Sequence, residues 1–262
     1  MATLKNTTIS DTGFIQLPSG TTAQRPSVAT GQMRYNSTLN TVEHYVSRWR
    51  YLPDIVVGDL VARYDAAEPG SYSGSGTTWN DISGNSRNAT LTNGPGYTTE
   101  FGGGITFDGS DDYVVMPNGL LTQNDFAVTV WCKNNATPSY GTLFANYPAG
   151  NVQLMYGPSY SAFWLGNSSA YADGTFFYTT GPISFTIGRS GDQTYLYAND
   201  TLAKQGSATA ITGGNVEFRM GTNTSGTERF SGTIYTCLVY SRMLSVNEIT
   251  QNYHALRSRF GV

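Results

Sequence analysis

Residues 79–115 read WNDISGNSRNATLTNGPGYTTEFGGGITFDGSDDYVV. A tryptophan and an aspartate precede a Gly-Asn turn. A polar, glycine-rich spacer follows, then a short alternating strand, Phe107-Asp108-Gly109 and Asp111-Asp112-Tyr113. Short alternating runs punctuated by Gly, Asn and Asp are the mark of β-strands joined by tight turns. Outward from this stretch the rhythm continues. From Leu60 onward strand signals recur roughly every eight to twelve residues, the spacing of a β-sandwich. Strands are expected at 60–64, 89–92, 104–108, 112–116, 126–133, 142–146, 152–157, 161–166, 174–178, 183–188, 193–198, 201–205, 215–220 and 229–240.

Within 126–133, Phe126, Val128, Val130 and Cys132 fall on one face, and Ala127, Thr129, Trp131 and Lys133 on the other. That alternation predicts a strand with one buried face. DQTYLYANDTLAKQ (192–205) reads as a hairpin around Asn199-Asp200. One helix is predicted, at the C-terminus. Ser245 and Glu248 form a Ser-x-x-Glu capping box, and Ile249, Tyr253, Leu256 and Phe260 follow as one apolar stripe. Arg257 and Arg259 suit its negative end, and the helix is expected to pack on the sandwich edge.

Bulk composition agrees. Charged residues make up 13%, against 30 Gly and 18 Tyr in 262 residues. Such a chain suits one large β domain with an appendage. The net charge is −3 and the Lys and Arg are scattered, so nucleic acid is not an expected partner. No run approaches the ~18 apolar residues of a membrane span, so no membrane insertion is expected. MATLKNTTISD has no apolar core of a secretory signal, so synthesis in the cytoplasm of the producing cell is expected. Cys132 and Cys237 lie in apolar runs and read as small buried hydrophobes.

Residues 1–30 are polar, carry Pro18 and Pro26, and read as an extended arm ordered by other chains. Residues 31–58 read as a small β-meander and linker of three short strands. Met33, Tyr35, Tyr45 and Trp49 offer more apolar area than such a meander hides. They are the expected oligomer contacts, with a homotrimer as the expected form.

Beyond 79–115, YDAAEPGSYSGSGTTW (64–79) and SGTIYTCLVYSRMLSVNEITQNYHALRSRFG (231–261) complete a pattern covering roughly Leu60 to Val262. It resembles the laminin G-like, concanavalin A-type lectin domains of bacteriophage structural proteins. The resemblance implies an all-β jelly-roll sandwich over 59–262, with the small N-terminal meander and arm and one C-terminal helix as additions. The segment 17–52, with Thr22-Ala-Gln-Arg-Pro26, Gly31-x-Met-Arg-Tyr-Asn36 and a closing Trp49, resembles a short module of phage fibre and appendage proteins. It implies localisation in a virion, with other virion proteins as partners. The alternative is a generic meander linker.

A jelly-roll glycan hydrolase needs two carboxylates on one strand face, about 5–5.5 Å apart in retaining enzymes. Glu43, Glu68, Glu100, Glu217, Glu228 and Glu248 include no Glu-x-Asp or Glu-x-x-x-Glu pair. Asp111 and Asp112 are adjacent, and strand neighbours point apart. His44 and His254 have no nucleophile beside them in sequence. No catalytic residue is therefore assigned, and no enzyme is expected. For metal, the resemblance implies a structural calcium at Asp81 and Asp108, with Asp111 as a third ligand; Tyr235 and Thr236 stand where many relatives carry acids. The other reading has Asp81 and Asp108 capping turns. For carbohydrate, Tyr160, Trp164 and Tyr171 sit beside loop-like Gly, Asn and Ser segments, with Asp173 among them. Flat rings with polar neighbours suit a sugar face.

The reading is a phage virion protein whose fibre, neck or tail appendage displays a lectin-like domain toward host-surface glycan. The alternative is a capsid or tail decoration protein whose sandwich packs on other virion proteins.

Overall fold

The computed structural model describes residues 16–27, 30–37, 41–45, 49–52, 54–121, 125–135, 140–157, 160–165, 168–173, 181–208, 210–212 and 215–262. Two compact units are present, Met1–Asp54 and Ile55–Val262. The strand expected at 174–178 lies outside the described residues.

The small unit is a four-stranded sheet in the order β1 (Ser19–Gly20), β2 (Met33–Asn36), β3 (Thr41–Tyr45), β4 (Trp49–Leu52). Strands β2, β3 and β4 form the antiparallel meander. Residues read as arm take part: Ser19 and Gly20 pair in parallel with Tyr35 and Asn36. Arg25 follows, and its guanidinium grips Glu43 at 2.8 and 3.3 Å. Register puts Met33 opposite His44 and Tyr35 opposite Val42, but Arg34 opposite Glu43 and Tyr45 opposite Trp49. With a period of two, Met33 and Tyr35 share one face, whereas Tyr45 and Trp49 share the other with Arg34, Asn36 and Glu43. The four contact candidates therefore divide between the two faces.

The large unit is two sheets face to face. The front sheet runs β15 (Ser168–Asp173), β14 (Tyr160–Leu165), β13 (Val152–Tyr156), β12 (Gly141–Ala145), β19 (Phe218–Met220), β10 (Tyr113–Met116), β7 (Ala89–Thr92), β6 (Thr78–Trp79). The back sheet runs β18 (Thr201–Ser207), β17 (Gln193–Ala198), β16 (Ile183–Ser190), β11 (Phe126–Asn134), β20 (Ser231–Tyr240), β9 (Gly104–Asp108), β8 (Gly96–Thr98). The ten-residue β20 is long enough to pair with β9 through Ile234 and with β5 (Leu60–Asp65) from Thr236. Between the sheets lies the core, including Trp79, Val114, Phe126, Val128, Val130, Leu154, Phe185, Phe218 and Val239. Cys132 and Cys237 are free, buried thiols, and burial pushes both well above the usual thiol range. They are not opposed: Cys132 faces Ile234, and Cys237 faces Val130.

The helix α1 (Val246–Phe260) has the predicted cap. The Ser245 hydroxyl accepts from the Glu248 backbone, whose carboxylate accepts from the Ser245 N–H at 2.9 Å. Gly261, at φ 71°, ends it. The helix lies on the outer face of the back sheet, not at the sandwich edge. Its stripe joins a second apolar cluster with Ala127, Trp131, Tyr235, Leu238 and Tyr240. Hence β11 is buried on both faces, against the expectation of one. Arg259 pins the helix, donating to Asp65 at 2.7 Å, to the Gly103 carbonyl at 2.6 Å and to the Phe101 carbonyl. Asn252, fully covered, accepts from Val56 N–H and donates to the Tyr240 hydroxyl.

Candidate functional site

With α1 over the back sheet, the front sheet has the outer face that no helix covers among the described residues. Residues alternate across it. Val114, Leu91, Phe218, Met220, Val152, Leu154 and Leu165 point to the core. Their neighbours Thr90, Tyr113, Val115, Arg219, Gln153 and Thr142 lie on the outer face by strand register.

These side chains form one connected row. The Arg219 guanidinium sits 4.7 Å from the centre of the Tyr113 ring, a cation–π contact. It is gripped by Glu217 through Nε at 2.7 Å and through Nη2, and its Nη1 reaches the Asn223 carbonyl at 3.5 Å. The Asn223 amide donates to Glu228 Oε2 at 2.9 Å. Gln153 Nε2 donates to that same oxygen and to Thr142 Oγ1, the latter at 2.8 Å. Glu228 holds φ at 54°, a conformation non-glycine residues rarely adopt and one that recurs at functional sites. Its backbone is locked by the Thr142 N–H donating to its carbonyl at 2.8 Å.

The sequence-derived carbohydrate residues lie on the two strands beyond β13. The strand expected at 161–166 is β14, and Ser168–Asp173, read as loop, is the strand β15 paired antiparallel with it. Tyr160 faces Asp173, Ala162 faces Tyr171, and Trp164 faces Ser169, while Trp164 also pairs with Gln153 on β13. Opposed residues share a face, so the register assigns positions 160, 164, 171 and 173 to the sheet face of Gln153. Tyr113, Arg219, Gln153, Asn223 and Glu228 were missed in the sequence. They come from four separated segments, and each segment alone reads as ordinary strand or turn.

The candidate metal ligands divide. Asp81 stands apart, its carboxylate filled by four donors: the N–H groups of Arg63, Ser83 and Arg87 and the Ser83 hydroxyl, at 2.8–3.0 Å. It holds a turn and has no lone pair left over for a cation. Asp108 and Asp111 do meet, with Asp112 as third member, ligand oxygens within 4.8 Å of one another. Asp111 and Asp112 are thus not divided between two strand faces: Gly109, at φ 81°, bends the chain there, and β10 starts only at Tyr113. The N–H of Ser110, 2.7 Å from Asp108, holds that carboxyl below its usual range. Burial, with the charges of Asp108 and Asp111, pushes Asp112 up. Three hard oxygen donors under mutual repulsion fit a cation such as calcium. The Asp112 carbonyl would lie 3.2 Å from a Cβ added at Gly221, so the cluster abuts the start of the 221–228 loop that carries Asn223 and Glu228.

Two further carboxylates, Asp65 and Glu68, are three apart and escape a period-two search. The turn after β5 brings both to Arg63, at 3.7 and 3.4 Å, and Arg259 also holds Asp65. They form a structural ion cluster. His254 is exposed, 3.9 Å from Asp200.

Residues 108–250 match the family described as the Concanavalin A-like lectin/glucanases superfamily. No curated protein matches the chain. Among solved structures, domain 4 of the extracellular GH43 arabinanase AbnA from Geobacillus stearothermophilus, solved with arabinotriose, is 21% identical. That match covers 74% of this chain and 98% of that one at a TM-score of 0.58. The receptor binding domain of botulinum neurotoxin D is 14% identical, covering 75% of this chain and 52% of that one at 0.60. Trypanosoma rangeli sialidase is also 14% identical, covering 78% and 34% at 0.56. At these identities the likeness is one of fold.

Proposed function

Because the chain belongs to the concanavalin A-like lectin/glucanases superfamily, we propose that the outer face of its front sheet, which α1 does not cover, binds carbohydrate and does not cleave it. The observation that carries this reading is the continuous row from Tyr113 through Arg219, Asn223 and Glu228 to Gln153, extended by register to Trp164, Tyr171 and Asp173. Rings present flat apolar area to the C–H face of a sugar, while the buried amides of Gln153 and Asn223 fix the Glu228 carboxylate behind them. The carboxylates of the row are engaged in positioning: Glu217 is held by Arg219, and Glu228 by two amides. The arabinanase domain was solved with arabinotriose, which supports a saccharide as the ligand class for the fold.

The biological setting is a bacteriophage virion, with the lectin-like unit borne on a fibre, neck or tail appendage toward host-surface glycan. What supports it is the N-terminal unit, where the residues of the fibre-like segment meet. Arg25 and Asn36 donate to Glu43, and Arg34 lies 3.6 Å from it. A folded module at one end and a sugar-binding face in the other unit suit attachment by many weak contacts, which display on a particle turns into avidity.

The test is a pull-down of the purified chain on host envelope polysaccharide, with assay of the released sugar ends. Retention without new reducing ends is the expected result. Steady release of reducing ends would make the protein a hydrolase.

A further inference from the structure

Helix α1 leaves part of the back sheet bare. Beside its first turn lies a groove of about 380 Å³, walled by β17 and by the 242–248 segment. Tyr195 and Tyr197 stand two apart on β17, so both face outward, while Leu196 and Ala198 point to the core. Tyr197 is only 5% exposed, and its hydroxyl has no hydrogen-bond partner among the described residues. Burial, with Tyr195 beside it, pushes that phenol above its usual range. Opposite stand Met243 and Val246, the latter 58% exposed although apolar.

The charge in the groove is already spent. Arg242 donates to Asp59 at 2.8 Å and to both oxygens of Glu248 at 2.8 and 2.6 Å. No unneutralised cation waits for an anionic ligand, and the one carboxylate on the wall is tied. What the groove offers is a pair of phenol rings, an unpaired phenol hydroxyl, the rim hydroxyl of Ser190 and apolar methyls. That set complements a neutral ring with one apolar face and an edge of hydroxyl groups.

We propose that this groove is a second saccharide site, separate from the front-sheet face, taking a neutral sugar ring against Tyr195 and Tyr197. The ring's C–H face lies on Tyr195, and one of its hydroxyls pairs with the Tyr197 hydroxyl. Two sites on opposite sheets let one domain bridge two strands of a polysaccharide.

The experiment labels the methionine methyl groups of the full chain and assigns Met243 by substitution with Leu. The probes are maltohexaose, cellohexaose and xylohexaose, with a hexagalacturonate as the charged control, each titrated to its solubility limit. The Met243 signal is expected to shift saturably with at least one neutral hexaose and not with the hexagalacturonate. Tyr197→Phe, which keeps the ring, weakens that titration about three- to tenfold, the worth of one hydrogen bond. Tyr195→Ala weakens it further. Trp164→Ala leaves it unchanged, which keeps this site's test apart from that of the front face. The proposal is overturned if no neutral hexaose moves Met243, if neither tyrosine variant alters the titration, or if Trp164→Ala abolishes it.

Discussion

Trp131 and Phe260 stack face to face, ring centroids 4.3 Å apart and planes 13° from parallel. One comes from the central strand β11, the other from the last turn of α1. Tyr253 stacks on the same indole at 5.7 Å and 4°, and Tyr235 closes the group 5.1 Å from Phe260. This aromatic clamp commits the part of the back sheet's outer face beneath α1 to packing. Phe260→Ala removes one plate of the stack. Loss of a buried aromatic typically costs about 3–5 kcal/mol. Its melting temperature should fall sharply, with early hydrogen exchange along α1; a shift within error would mean the helix is held without the clamp.

Acid should loosen the start of that helix. Hydrogen bonds from Arg242 and from the Ser245 backbone hold Glu248 down to about 2. A carboxylate lowered in the folded state stabilises it at neutral pH, and that contribution fades as pH drops from 4.5 through 2. Glu248→Gln should therefore destabilise the protein at pH 7 and converge with wild type near pH 2. Equal gaps between the two melting curves at both pH values would contradict the assignment.

The acidic bend offers a metal test. Asp112 carries a raised proton affinity because burial and two neighbouring charges oppose its ionisation. In the metal-free protein Asp112→Asn should raise the melting temperature at pH 7, since it removes that repulsion. Calcium should stabilise the wild type, whereas Asp112→Asn and Asp111→Asn should respond little. Stabilisation of all three alike by calcium, or of none, would remove the cluster as a cation site.

In the N-terminal unit, Glu43 is fully buried and holds Arg25 and Asn36, with Arg34 close by. Burial raises its proton affinity, but the Arg25 and Asn36 hydrogen bonds and the two guanidinium charges outweigh it, leaving the carboxyl below its usual range. Removing one partner of a buried ion cluster typically costs about 3–5 kcal/mol. Glu43→Ala should unfold Met1–Asp54 while the sandwich keeps its melting transition, as exchange protection of the two units would show. Protection of β2 and β3 undiminished in the variant would refute this.

Much of the sandwich was legible in the chain because alternation is a local signal. The run 126–133 declares its strand, and Asn199-Asp200 declares its turn. What alternation cannot show is which outer face a distant element covers: Trp131 reads as solvent-facing until α1, over a hundred residues later, lies on it. The segment SSAYAD (168–173) read as loop because Ser, Ala and Asp are poor strand formers; pairing with β14 overrides that preference. Capping residues were legible at Ser245 and Glu248, where the motif is complete within four positions. The row from Tyr113 to Glu228 was not, since its members meet only through sheet pairing and the loop after β19. Asp111 and Asp112 misled because a bend, not a strand, carries them.

The central claim is a saccharide-binding front face, and an array of neutral and acidic glycans probed with wild type, Trp164→Ala and Tyr113→Ala tests it most directly, with melting curves for all three. The account predicts that wild type retains a defined set of glycans, that both variants lose most of that retention, and that their melting temperatures stay close to wild type. A wild type that retains no glycan, or variants that lose retention only because they lose the ~3–5 kcal/mol expected of a core aromatic, would contradict it.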